Sequence, residues 1–478
     1  MTIGGHMPVK FDSEFAMTID GELVFSEKKI PVLNPATEEV VAHAPDCGAA
    51  QLDAAVRGAR QAFNEWRSTS IEIRRKLLEQ LATAILDHLD PLSKILTLEQ
   101  GKALEASKAE LLGSVDWIRK TASLELPQDV RQDSGSSAAI RHLPLGVVAG
   151  IPPWNYPVNL SAMKIAPALL TGNTLVLKPS PFTPLSMLKI GELARDIFPR
   201  GVFSVISGGD ELGPLMTAHP GFDKISFTGS TATGRSVMRS AAPTLKRLTL
   251  ELGGNDPAIV LPGVDVPAVA QTLFWCAFTN SGQICLATKR IYVHEDIYDT
   301  FMNVMVETAK AVKVGNGLAP ETQLGPISNR PQFERVKALI KDSIDNGHEI
   351  LAGGLPEQKN GYFIPITIVG NPPENSRIVQ EEQFGPIIPV MKFTDVEDAI
   401  KRANALDVGL GAMVWGGDHD QAIAVGKRLE AGTVWVNQPP QLAASIPFGG
   451  FKQSGIGSEG GVEGLLAYTV TQSLWSKI

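Results

Sequence analysis

The residues able to do chemistry in this chain stand where apolar runs stop. Cys285 lies in FTNSGQICLATKR, residues 278–290, a polar, glycine-containing turn between a helical and a strand-like segment. A thiol in such a loop is placed as a nucleophile is, although a lone cysteine is more commonly a small buried apolar residue. Cys276, inside TLFWCAF, and Cys47, in an N-terminal loop, take that plainer reading. Glu251 ends RLTLEL and is followed by Gly253-Gly254. A carboxylate at the C-terminal end of a parallel strand faces the crevice where ligands bind, and burial there raises its pKa towards that of a general base. The alternative is a solvated or helix-capping Glu. Asn155, in IPPWNYP, is held in a loop stiffened by Pro152, Pro153 and Pro157. A fixed side-chain amide suits the stabilisation of an oxyanion, and equally a simple turn. Its neighbours Trp154 and Tyr156 line a pocket or pack in a core.

A second group of residues suits a nucleotide. Gly229 to Gly234 reads GSTATG, follows KISFT and opens a helix, so its backbone N–H groups are aimed as a phosphate requires. The spacing is GxxxxG rather than GxGxxG, and Arg235 stands where a P-loop needs lysine. A plain glycine turn is the competing reading. Lys178 ends TLVLK and suits the hydroxyls of an adenine nucleotide's ribose, or is solvated. Glu381 and Glu382 precede Phe384 in EEQFGPI. Such a loop is a solvated acid pair, or it binds sugar hydroxyls while the ring packs flat. The eight histidines are scattered, so neither a zinc site nor a Cys–His dyad is expected.

The elements that must position these residues follow from periodicity. Residues 54–123 carry apolar positions at helical spacing, and Pro127 stops the pattern. From Gly146 short apolar strands alternate with helices: GVVAGI, TLVLKPS, GVFSVIS, KISFTGS and RLTLEL, with helices over 158–170, 185–197, 211–218 and 229–240 between them. This is the pattern of a doubly wound parallel sheet. It pauses near Asn255 and resumes with helices over 268–279, 297–312 and 332–346 and strands in KRIYVHE, IIPVMKF and GAMVWG. RHLPLG and AYTVTQSLWSKI lie outside both sheets and are predicted to pair with one another. The expectation is therefore an α/β chain: two doubly wound, Rossmann-like parallel-sheet domains and a small β oligomerisation element.

Length and charge narrow the class. With 478 residues the chain exceeds one core and must divide. Hydrophobic residues are 44% and charged residues 20%, enough apolar material for an ordered globular protein. A net charge of −8 supplies no basic surplus for nucleic acid. No run approaches a membrane span, and MTIGGHMPVKFDSEF has no apolar leader core. Three cysteines in so long a chain fit a reducing cytoplasm.

Taken together these segments resemble the NAD(P)-dependent aldehyde dehydrogenase superfamily, from about residue 30 to the end. PWNYP, ELGGNDP, NSGQICLATKR, EEQFGPI and PFGGFKQSGIG are similar to five of its signatures and occur in its order. The resemblance implies that Cys285 is the nucleophile, that Asn155 with the Cys285 backbone N–H holds the oxyanion, and that Glu251 activates water. It implies that Lys164 and Glu459 orient this base and pass its proton on. It places Lys178, Ser180 and Pro181 at the adenosine, Gly229, Ser230 and Gly234 at the pyrophosphate turn, and Trp154, Gly253, Glu382 and Phe384 with the rest of the cofactor-binding set. The substrate tunnel is expected from Tyr156, Leu160, Met163, Thr279, Ile284, Leu442 and Phe448. A nearby helix N-terminus and the cofactor's positive ring are expected to favour the Cys285 thiolate.

The resemblance also implies a division of the chain. Residues 1–125 and 145–252 form the cofactor-binding domain, and 253–440 the catalytic domain. Residues 126–144 and 460–478 are oligomerisation strands, with 441–459 returning near the active site. The partners implied are an aldehyde and further copies of the chain, as a homodimer or homotetramer, with no nucleic acid and no membrane. Pro181 stands where many NAD-preferring members carry a Glu for the adenosine 2′-hydroxyl, so the cofactor is NAD with NADP as an alternative. Asn255 and Ser458 replace a usual lysine and arginine. The expected tunnel residues are mostly apolar and include no cation, which points to a neutral aliphatic or aromatic aldehyde. Rival readings are a semialdehyde dehydrogenase, a CoA-acylating enzyme, a P-loop hydrolase and a non-catalytic relative. The presence of Glu251 favours hydrolysis over CoA transfer.

Overall fold

The computed structural model describes residues 9–11, 13–357 and 360–477. Residues 1–8, at the head of the range expected for the cofactor-binding domain and of the segment read as having no apolar leader core, lie outside the described residues.

The strands that read as unbroken apolar runs are buried on both faces, as strands of a helix-covered parallel sheet must be. Val147–Ile151, Thr174–Leu177, Phe203–Val205, Lys224–Thr228 and Arg247–Glu251 form the parallel middle of an eight-stranded sheet. From Val147–Ile151 the chain first builds outward through Thr174–Leu177 and Phe203–Val205. It then crosses to the other side with Lys224–Thr228 and Arg247–Glu251. The reversal of strand order therefore falls between Ile151 and Thr228, and in open α/β sheets the ligand crevice lies at such a switch point. The loops that leave this point carry Asn155 and Gly229.

The second sheet has seven strands: Glu349–Ala352, Thr367–Gly370, Ile387–Phe393, Arg290–His294, Pro257–Val260, Gly411–Trp415 and Thr433–Val436, in that spatial order. All neighbouring pairs are parallel except Glu349–Ala352 against Thr367–Gly370. The segment after residue 440 returns to the first sheet, where Ile456 pairs with Leu250 and Gly455 with Glu251.

Three expectations need correction. The helical stretch over 54–123 is four helices: Ala49–Trp66, Ile71–Asp87, Leu89–Gln100 and Leu104–Ala122. Ser70 caps the second, and Gly101, at φ +98°, ends the third. Four short strands precede them, at Met17–Ile19, Glu22–Val24, Lys29–Leu33 and Val40–Pro45, and the first two edge the first sheet. The first two have three residues each, and the other two are only partly buried, so none stands out as a buried apolar run bounded by turns. Finally, residues 461–466 of the expected terminal strand segment are helical (Gly461–Leu466), and only Thr469–Lys477 is strand. That strand pairs antiparallel with Ser136–Pro144 along its whole length, as predicted for the two orphan segments. A third strand, Asp129–Asp133, completes the small sheet. Its sequence, DVRQD, is too polar to be read as a strand.

Candidate functional site

The nucleophile loop is a strained turn locked from several sides. After the helix Val266–Phe278, three consecutive residues adopt left-handed backbone: Asn280 (φ +53°), Ser281 (+56°) and Gly282 (+73°). Left-handed non-glycine residues cost of order 1–3 kcal/mol each and persist only when their surroundings over-determine them. Here Ser281 Oγ donates to Gly325 O at 2.6 Å, Gln283 Nε2 donates to Asn280 O at 2.9 Å, and Ser328 N donates to Gln283 Oε1 at 2.9 Å. At Gly282 a Cβ would lie 2.2 Å from the Gly385 carbonyl, so the loop abuts the segment carrying Glu382 and Phe384.

Asn155 is tied to the same loop. Its Nδ2 donates to Gln283 O at 2.8 Å, and its carbonyl accepts from Asn280 Nδ2 at 3.2 Å and from Lys102 Nζ at 2.8 Å. One N–H of the amide is thereby used to hold it two residues from the thiol, and a side-chain amide carries two. Burial pushes the Cys285 thiol up to about 12, partly offset by Lys289, while Asp256, Glu382 and Glu251 add to the rise. Of the protein's own ionisable groups, Lys289 thus favours the thiolate and three carboxyls oppose it; the helix N-terminus and the cofactor's ring, the two sources of the expected preference for thiolate, are not among these groups.

Glu251 ends its strand as expected and is 4% exposed. Neither carboxylate oxygen has a hydrogen-bond partner among the described residues. Its carboxyl is held well above the usual range, first by burial and then by the charge of Glu459, against the opposing pull of Lys164. Lys164 Nζ in turn contacts Glu459 Oε1 at 2.8 Å and Thr228 Oγ1 at 2.7 Å, with both charged side chains fully buried. Glu251, Lys164 and Glu459, from a strand end, a helix and the returning segment, thus act on one another electrostatically.

A cleft of about 150 Å³ is lined by Trp154, Asn155, Leu160, Gly229, Ser230, Gly253, Cys285, Glu382 and Phe384. Trp154 and Phe384 meet edge-on at 5.4 Å. Ser230 caps the helix Thr231–Ala241 by accepting from Thr233 N, which leaves that helix start facing the cleft. At Gly253 a Cβ would reach 2.4 Å from Glu382 Oε2, so only glycine lets the carboxylate lie over this strand end. A phosphate cradle at a helix start, an acid for ribose hydroxyls and aromatic walls fit a dinucleotide.

Other expected positions lie apart from this cleft. Lys178 is buried, its Nζ 3.3 Å from Pro179 O, and burial lowers it to about 8 against the charges of Asp210, Cys47 and Asp46. Ser180 Oγ accepts from Phe182 N beside Pro181, and Gly234 is packed on Leu252. The tunnel set is dispersed. Met163 packs with Trp117 and Ala444, and half-buried Leu160 joins them while also lining the cleft. Tyr156 lies under Lys102 Nζ, 3.7 Å from its ring centroid. Ile284 and Phe448 belong to the second sheet's core, while Thr279 and Leu442 are exposed.

Sequence reasoning missed three residues. Lys102 and Glu110 form a buried pair at 2.6 Å. Glu110 Oε1 also accepts from Val158 N and Asn159 N, capping the helix that follows Asn155. Nothing local marks either residue, because their partner loop is some fifty residues away. Lys289 stood within the quoted nucleophile segment, and its burial was the unseen signal.

With this geometry in place, the comparisons agree with one another. The aldehyde dehydrogenase family profile matches residues 24–474. An aldehyde dehydrogenase of a Fusarium species is 39% identical, across 96% of this chain and 98% of its own. The phenylacetaldehyde dehydrogenase of Pseudomonas fluorescens is 37% identical, across 96% of this chain and 95% of its own. The NAD+ complex of an aldehyde dehydrogenase from Bacillus cereus superposes with a TM-score of 0.95 at 36% identity, covering 98% of this chain and 97% of that one.

Proposed function

The chain belongs to the aldehyde dehydrogenase family, and on that premise we propose that it oxidises a neutral aliphatic or aromatic aldehyde to the carboxylic acid, with NAD as cofactor, through a thioester on Cys285. The observation that carries this reading is Glu251: a buried carboxylate, unpartnered among the described residues and close enough to act electrostatically on the Cys285 thiol.

Each residue's part follows from its surroundings. Cys285 Sγ, as thiolate, adds to the aldehyde carbonyl. The oxyanion takes the N–H of Asn155 not engaged by Gln283 O, together with the Cys285 backbone N–H. When bound, the cofactor supplies the hydride acceptor. Gly229, Ser230 and the first turn of Thr231–Ala241 hold its pyrophosphate, and Glu382 a ribose. With the acyl group on Cys285, Glu251 removes a proton from water, which attacks the thioester carbonyl and releases the acid. The Lys164–Glu459 pair, whose charges act on Glu251 without a hydrogen bond to it, receives its proton.

Pro181 places no carboxylate against a 2′-phosphate, which supports acceptance of NADP beside NAD. The apolar cluster of Leu160, Met163, Trp117 and Ala444 supports an uncharged substrate tail. The test is reduction of NAD or NADP, followed by absorbance, with benzaldehyde, hexanal and succinate semialdehyde, without CoA, in wild type and Cys285→Ala. Reduction lost in the variant, with neutral aldehydes turned over fastest, is the expected result. Activity that survives in Cys285→Ala overturns the nucleophile; faster turnover of succinate semialdehyde overturns the substrate class.

A further inference from the structure

Lys289 lies four residues after the nucleophile and is 2% exposed. Its Nζ donates to the carbonyl of Cys285 itself at 2.5 Å and to Ala287 O at 3.3 Å, and it stands 3.4 Å from Glu382 Oε1. Its own carbonyl accepts from Gln383 Nε2 at 3.2 Å, so one lysine ties the nucleophile loop to the EEQFGPI segment at two points. Glu382 Oε1 is also 3.3 Å from Gly254 N, and the Glu382 carbonyl accepts from Arg335 Nη2 at 2.8 Å. The other ionisable groups acting on the thiol are Asp256 and Glu251, which oppose its ionisation, with the Tyr156 phenol also within range. Among these groups Lys289 is the one that favours the thiolate.

We propose that Lys289 is a positioning residue that couples cofactor arrival to the nucleophile: Glu382 and buried Asp256 share its ammonium in the free protein, and when Glu382 turns to a ribose a larger part of the charge is left to the Cys285 loop, where it favours the thiolate. The proton leaves to solvent, and no other bond changes. A cation that loses a counter-ion while it stays bound to the nucleophile's own carbonyl lowers the thiol's ionisation midpoint by about one pH unit. The same lysine orients the peptide of Cys285, whose N–H serves the oxyanion. The inference rests on Cys285 being the nucleophile and Glu382 a ribose ligand.

The test is the pH dependence of Cys285 alkylation by iodoacetamide, free and with ADP-ribose. That ligand offers the ribose without a positively charged ring. Wild type is expected to show a midpoint lower by about one pH unit with ADP-ribose. Lys289→Met is expected to have a higher midpoint that ADP-ribose does not lower. Glu382→Gln is expected to have a lower midpoint already in the free protein. A merely structural role moves both variants the same way, and uncoupled direct charge effects move them apart but leave the response to ADP-ribose in Lys289→Met like that of wild type. Variants that shift together, or an unchanged response to ADP-ribose in Lys289→Met, overturn the proposal. Failure of the functional reading is separate: it appears as aldehyde oxidation that survives in Cys285→Ala.

Discussion

Two carboxamide-sized changes separate the two halves of the proposed chemistry. Asn155 is anchored through one N–H, so Asn155→Ala removes an oxyanion donor; kcat/KM should fall by roughly 10²–10³, measured with a saturating cofactor and a neutral aldehyde. Glu251→Gln leaves the thiol and the oxyanion site in place but removes the base. Rapid-mixing absorbance should show a burst of one reduced cofactor per site, followed by turnover slowed by about 10²–10⁴. The pH sign follows from the raised carboxyl: burial and Glu459 keep Glu251 protonated to a higher pH than an ordinary Glu. Only the ionised form accepts a proton, so thioester hydrolysis should climb with pH through that raised value, and Glu251→Gln should lose the climb. A burst absent from Glu251→Gln would mean that this residue acts before hydride transfer.

Elements hold these residues through contacts distant in sequence. The turn at Asn280–Gly282 spends backbone strain to aim Cys285, and Gly282 sits at φ +73° against the Gly385 carbonyl. Gly282→Ala adds strain of about 1–3 kcal/mol. It should shift the thiol enough to cost on the order of 10²-fold in kcat, with a change of only a few degrees in the unfolding midpoint seen by calorimetry. Glu110→Gln acts on the opposite wall. It leaves Lys102 buried without its counter-ion, while the amide oxygen still accepts from Val158 N and Asn159 N, so urea unfolding should report a loss of about 3–5 kcal/mol from the unpaired charge. Unchanged stability in that variant would show that Lys102 is solvated in solution.

On the scale of the molecule, the small sheet leaves apolar side chains in water: Val130 is 65% exposed, Trp475 59% and Leu474 54%. Large apolar residues gathered on one exposed sheet mark an interaction surface, and a second copy of the chain is the occupant expected from the sequence. Light scattering should give a homo-oligomer, and Trp475→Glu should shift it towards smaller species while the isolated subunit keeps its fold. A monomer at micromolar concentration would remove the oligomer. Among the described residues no helix is long and apolar enough to cross a membrane.

What the sequence determined by itself was whatever burial writes locally. Strands covered on both faces must be apolar throughout, so KISFT and TLVL were legible, and strand ends next to glycines marked Glu251 and Gly229 as crevice residues. The order of signature segments carried the family resemblance. Polar strands, and short strands outside an alternating strand–helix pattern, leave no such imprint, which is why Asp129–Asp133 and the N-terminal edge strands are not legible. Only the tertiary structure decided which charges meet. Lys164 and Glu459 are 295 positions apart, and Lys102 reaches across 53 positions to Asn155. Their pairing depends on the returning segment at 441–459 and on helix packing. The electrostatics of the thiol belong to the same category. Desolvation and the balance of Lys289 against three carboxylates are sums over space, and no spacing along the chain encodes them.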